Sequence, residues 1–100
     1  MRKIRYHDEA RLELIHETGY YSAISRQLGE RFDLAIQAAA ARAAEHPQHG
    51  APFLCGTRRV LAKTFPFSVV YQTRDDEIIV LAIAPFSRNP GYWRGRKVGA

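Results

Sequence analysis

Cysteine is almost missing from this chain. Cys55 stands alone, so no intrachain disulfide can form, a thiolate metal cluster is excluded, and a reducing compartment, the cytoplasm, is implied. Long hydrophobic runs are missing too. The apolar stretch from Ile78 to Pro85 falls far short of the about 20 residues that span a bilayer, and Met1-Arg2-Lys3 leads into Ile4 and Tyr6 rather than into the apolar segment of an export signal. A soluble, unexported protein with no membrane partner is expected. Acidic residues are missing after Glu77, whereas Arg88, Arg94, Arg96 and Lys97 follow it. There is no Gly-rich phosphate loop, no paired-carboxylate site and no Gly-x-Ser-x-Gly elbow. His46 and His49 have a ligand-like separation, but Pro47 between them forbids a regular helix and no neighbouring Cys or acid completes a site. No metal and no cofactor are predicted. Cys55 has no local feature that would activate its thiol and reads as a small buried hydrophobe.

What is present fits one domain over residues 1–100, because 100 residues with 46% hydrophobic content cannot divide their buried surface between two cores. The formal charge of +5 argues for an anionic partner, and its concentration beyond about residue 88 makes a basic C-terminal tail.

Arg2 to Tyr6 alternates polar and apolar residues, the period-two mark of a short half-buried strand. His7, Asp8 and Glu9 then suit a helix start, with His7 or Asp8 as cap. Ala10, Leu14, Thr18 and Tyr21 recur at helical spacing, with Glu13 and Glu17 on another face. A break at Ser22 to Arg26 separates this helix from a second one, marked by Phe32, Ala35, Ile36, Ala39 and Ala43 and ended by Pro47. The alanines from Ala38 to Ala41 favour helix and permit a close neighbour. His46 to Gly56 is the main loop. Thr57 to Lys63, Pro66 to Gln72 and Glu77 to Ala84 read as three strands, the last two joined tightly through Thr73 to Asp76. Helices followed by strands give an α+β fold: an N-terminal strand and an antiparallel helical hairpin packed on a mainly antiparallel sheet of about four strands.

The residues that carry chemistry are cationic and aromatic. Arg58, Arg59 and Lys63 share a strand, with Arg59 and Lys63 on one face and Arg58 on the other. Arg88, Tyr92, Trp93, Arg94 and Arg96 follow the last strand, around a turn at Pro90-Gly91. Arginine binds phosphates or carboxylates bidentately, and Tyr or Trp can stack on a base or anchor a protein interface. Alternatively, Tyr92 or Trp93 closes the end of the core, and one of the two is expected to do so.

The order of these elements, with His7-Asp8-Glu9-Ala10, Leu28-Gly29-Glu30-Arg31-Phe32, Arg58-Arg59-Val60-Leu61, Phe65-Pro66-Phe67-Ser68-Val69-Val70-Tyr71 and Arg88-Asn89-Pro90-Gly91-Tyr92-Trp93, resembles the RelE/ParE superfamily of bacterial type II toxins. The resemblance implies growth inhibition restrained by a cognate antitoxin protein, through which alone the pair contacts operator DNA. Two targets are implied: DNA gyrase in the ParE-like branch, and messenger RNA on the ribosome in the RelE-like branch. An endoribonuclease of the second kind would use Arg59, Lys63, Arg88 and Tyr92 to activate the 2′-hydroxyl, neutralise the phosphate and protonate the leaving oxygen. Ser68 departs from that pattern, because the cleaving branch commonly has an arginine there and Arg58 or Arg59 would have to substitute. The gyrase-binding reading needs no catalytic set and is preferred, with Arg58, Arg88, Tyr92, Trp93, Arg94 and Arg96 as target-binding residues. A member that has lost toxicity and only binds its antitoxin is the third reading.

Overall fold

A computed structural model of the chain describes residues 1–97. Strand β1 (Lys3–Tyr6) leads into helix α1 (Asp8–Ile24) and helix α2 (Arg26–Glu45). Strands β2 (Ala51–Pro52), β3 (Arg58–Leu61), β4 (Phe67–Arg74) and β5 (Glu77–Pro85) follow, with a 3-10 turn at Leu54–Gly56. They form one sheet in the order β1-β5-β4-β3-β2, antiparallel except where β1 runs parallel to β5. The expected hairpin on a mainly antiparallel sheet is therefore present. The fifth strand, β2, lies in what the sequence presents as loop, and with two residues and a proline it is too short to leave a periodic signal.

Both helix starts are side-chain capped. His7 Nδ1 accepts from the Glu9 N–H at 3.0 Å, and Ser25 Oγ accepts from the Leu28 N–H at 3.1 Å. Ser25 alone breaks the hairpin, its extended backbone (φ −158°, ψ 147°) ending α1 and starting α2. The break is thus narrower than the expected Ser22 to Arg26, since nothing from Ser22 to Ile24 forbids helix. Asp75 turns the β4–β5 hairpin with φ 54°, a conformation that Asp tolerates better than most residues.

The sheet is covered on both faces. On one, Ala10, Phe32, Ile36, Ala39, Ala40 and Ala43 pack against Val69, Tyr71, Ile78, Val80 and Ile83. On the other, Val70, Ile79, Leu81 and Ala82 pack with Trp93, bordered by Phe53 and Tyr92. A register shift at Val70/Tyr71 pairs Val70 with Ala82 and Tyr71 with Val80, leaving Leu81 as an extra residue in β5. This bulge explains how Leu81 and Ala82, neighbours in sequence, both face the second core. Cover on both faces explains why β5 reads as continuous apolar sequence. Tyr71 ties the long loop to the first core: its hydroxyl donates to the Pro47 carbonyl at 2.7 Å and accepts from the Gly50 N–H at 3.2 Å. Cys55, expected to be buried, is exposed. It occupies a left-handed position (φ 57°) in the 3-10 turn, outside both cores.

Candidate functional site

Strand β1 ends at Tyr6, level with Val80 of β5, so β5 from Leu81 onward, still paired with β4 on its other side, has no described strand on its β1 side. Unpaired polar groups on such an edge need partners, and side chains supply them. The Ile83 N–H donates to Glu13 Oε1 at 3.0 Å, and Arg96 Nη1 donates to the Leu81 carbonyl at 2.9 Å. Glu13, from α1, is the hub. It also accepts from the Tyr92 hydroxyl at 2.7 Å and from both terminal nitrogens of Arg96 at 2.9 and 2.8 Å. Arg88 Nη1 lies 3.9 Å from Glu13 Oε2.

Burial acts to raise the Glu13 pKa, but the hydrogen bonds from Arg96, Tyr92 and the Ile83 N–H outweigh it and hold the carboxyl below its ordinary value. The hydrogen bond to Glu13 raises the Arg96 pKa, against the opposing effect of burial. Burial, then the hydrogen bond and charge of Glu13, push the Tyr92 phenol far above the usual tyrosine range. Tyr92 is therefore a fixed neutral donor.

This lock folds the C-terminal segment back onto the sheet. Trp93 is 2% exposed and lies 5.9 Å, centroid to centroid, from Phe53, so the core-closing alternative holds for this residue. The Arg96 side chain is only 14% exposed. Neither presents the free surface assigned to it above, because an edge and a core face both needed covering. Arg88 and Arg94 are exposed. Gly91 (φ 84°) makes the turn between them, and an added Cβ there would meet the Arg94 stem at 3.2 Å.

A small cleft gathers several of the residues singled out above. Arg59, Arg88, Tyr92 and Trp93 line it together with Ser68. The Arg59 guanidinium carbon sits 4.4 Å from the Phe53 ring centroid, and that of Arg88 sits 3.7 Å from the Tyr92 centroid. Ser68 is almost fully buried. Lys63 is not among these residues: it lines a different depression with Arg42, His49 and Arg59. Arg58 is turned away into the loop, donating to the Gly50 carbonyl and to Gln48 Oε1, each at 2.7 Å. Glu13 is the site residue that the sequence does not announce.

The family model for the ParE toxin of the type II toxin-antitoxin system parDE matches residues 4–90. Toxin ParE2 of Mycobacterium tuberculosis, in both the CDC 1551 / Oshkosh and the H37Rv strains, is 28% identical over 90 residues, covering 89% of this chain and 86% of the relative. A solved structure described as the chromosomal ParDE TA system from P. aeruginosa superposes with a TM-score of 0.73 at 19% identity, over 85% of this chain and 96% of that one. At that identity, the likeness bears on the fold.

Proposed function

The chain belongs to the ParE toxin family of type II toxin-antitoxin systems, and we propose that it inhibits growth by binding and poisoning DNA gyrase in the cytoplasm. Its partner there is a cognate antitoxin, through which alone the pair reaches operator DNA. The name of the P. aeruginosa structure, a ParDE system, supports such a partner. The hairpin also leaves Leu12 and Ile15 of α1 and Leu34 of α2 exposed, apolar side chains that such a partner would cover.

One observation carries the choice of a binding toxin over a nuclease. The Tyr92 hydroxyl is committed to Glu13, and the guanidinium carbons of Arg88 and Arg96 lie 3.7 and 5.2 Å from its ring centroid. A proton-transfer group must reach the substrate with a pKa near the working pH, and Tyr92 meets neither condition. Ser68 supplies no charge, and Lys63 opens onto another depression. Binding through a surface requires none of these.

Controlled expression without antitoxin tests the reading. Gyrase poisoning predicts double-strand breaks and a DNA-damage response, with gyrase trapped on DNA by the purified chain. Codon-positioned messenger RNA cleavage with intact DNA would replace this reading with the nuclease one, and normal growth would remove both.

A further inference from the structure

The cleft between Arg59 and Arg88 has a feature that the gyrase reading does not use: it is cationic, small and preorganised. Arg59 reaches it from β3 and Arg88 from the turn after β5, and each guanidinium rests on an aromatic ring, Phe53 or Tyr92. Stacking restrains a long side chain before any ligand arrives, so less rotamer freedom is lost on binding. None of the described residues that line the cleft is acidic. The nearest carboxylate to Arg88 is Glu13, at 3.9 Å, and its oxygens already accept from Arg96, Tyr92 and the Ile83 N–H. Ser68 lies on the floor, and Phe86 stands at the rim, 55% exposed.

We infer that this cleft is a carboxylate socket, which takes an Asp or Glu side chain from an extended acidic and apolar segment of a protein partner. The inference rests on the protein-binding reading above and names the chemistry of the contact. Two guanidinium forks suit the planar carboxylate, and Phe86 offers a seat for a neighbouring apolar side chain. The internal volume of about 50 Å³ holds a few water molecules or one carboxylate. Single-stranded RNA would need an open aromatic face to stack on. Tyr92 and Phe53 each carry a guanidinium and Trp93 is buried, so among the described lining residues Phe86 at the rim is the one well-exposed ring, and the octauridylate comparison below tests whether it serves a base.

The test uses the full chain and three probes: an octapeptide alternating Glu with Leu and Phe, the same peptide with Gln for Glu, and an octauridylate. The Glu peptide should shift the Nε–H resonances of Arg59 and Arg88 and the amide of Ser68. Its affinity should fall at least roughly tenfold in Arg59→Gln/Arg88→Gln, as the loss of charge-assisted contacts requires. Arg74→Gln, at the far end of the β4–β5 hairpin, should leave it unchanged. If the double Gln variant does not fold, Arg59→Lys/Arg88→Lys keeps the charge and removes the forks, and weaker binding is again expected. Equal binding of the Gln peptide, tighter binding of octauridylate, or undiminished affinity in a folded double variant would overturn the socket. Gyrase inhibition measured on the same samples separates the two readings. Peptide binding in the socket without gyrase inhibition by the wild-type chain removes the target assignment and leaves the socket standing. Full gyrase inhibition by the folded double variant, with its peptide affinity undiminished, does the reverse.

Discussion

Replacing Glu13 by alanine removes at once the acceptor shared by Tyr92, Arg96 and the Ile83 N–H. Breaking a mostly buried pair leaves the partner charge uncompensated, which typically costs about 3–5 kcal/mol. Urea unfolding of Glu13→Ala should show a loss of that order, whereas Tyr92→Phe, which removes one hydroxyl, should lose about 1–3 kcal/mol. The acid limb provides a second reading of the same residue. A carboxyl held below its ordinary pKa in the folded chain stabilises the fold above the unfolded value of about 4.3. That contribution is lost as the pH falls through the folded value. Glu13→Gln should therefore melt lower than wild type at neutral pH and lose less of its remaining stability on acidification below about pH 4. A parallel acid limb in the two proteins would show that Glu13 is not the group responsible. None of this is written in the sequence around Glu13. Its partners lie 70 to 83 residues away, and an edge group awaiting a donor or acceptor is defined only once the sheet exists. The basic and aromatic residues of the C-terminal segment were legible as types, but their division between the lock (Tyr92, Arg96), the core (Trp93) and the surface (Arg88, Arg94) was not.

The elements themselves were more legible, because each buries one face and so repeats with its own period. Phe32, Ile36, Ala39 and Ala43 mark α2, and all four are fully buried. The exceptions have local causes. Strand β2 is too short to repeat, and the Leu81 bulge shifts the alternation of β5 by one residue. The helical hairpin adds a test in which two glycines give opposite signs. A Cβ at Gly29 in α2 would lie 1.9 Å from Ser22 Oγ and 2.9 Å from Ser22 Cα, whereas one at Gly19 in α1 would meet nothing within 4 Å. Helix propensity favours alanine over glycine by about 1 kcal/mol at either site. The Ser22 hydroxyl can rotate away from Gly29, but its Cα moves only if α1 and α2 separate, and overpacking of this kind costs roughly 1–3 kcal/mol. Gly19→Ala should raise the thermal midpoint and Gly29→Ala should lower it. If both raise it, the helices are not in the close contact described.

At the scale of the molecule, the C-terminal segment is a wall. Strand β5 is buried on both faces, by the helical hairpin on one and by Phe53, Tyr92 and Trp93 on the other, and its free edge is closed by Glu13 and Arg96. A chain ended before Pro90 would expose Val70, Ile79, Leu81 and Ala82 and leave Glu13 without Tyr92 and Arg96. Loss of a buried tryptophan alone typically costs about 3–5 kcal/mol. A mostly buried carboxylate stripped of its cation adds a similar amount. A domain of this size has only about 5–15 kcal/mol in total, so the truncated chain should not fold cooperatively. It should bind a hydrophobic dye and show collapsed amide dispersion, with no sharp urea transition. A two-state transition with a midpoint near that of the full chain would refute the wall. The distinction governs how loss of toxicity is read. Growth restored by truncation would report unfolding, whereas growth restored by Arg88→Gln would report a lost contact, because Arg88 is exposed and does not belong to the second core. Arg88→Gln should therefore keep the urea midpoint of the wild type within about 0.5 kcal/mol of stability while reducing toxicity, and a variant that lost both together would move Arg88 from the contact surface into the wall.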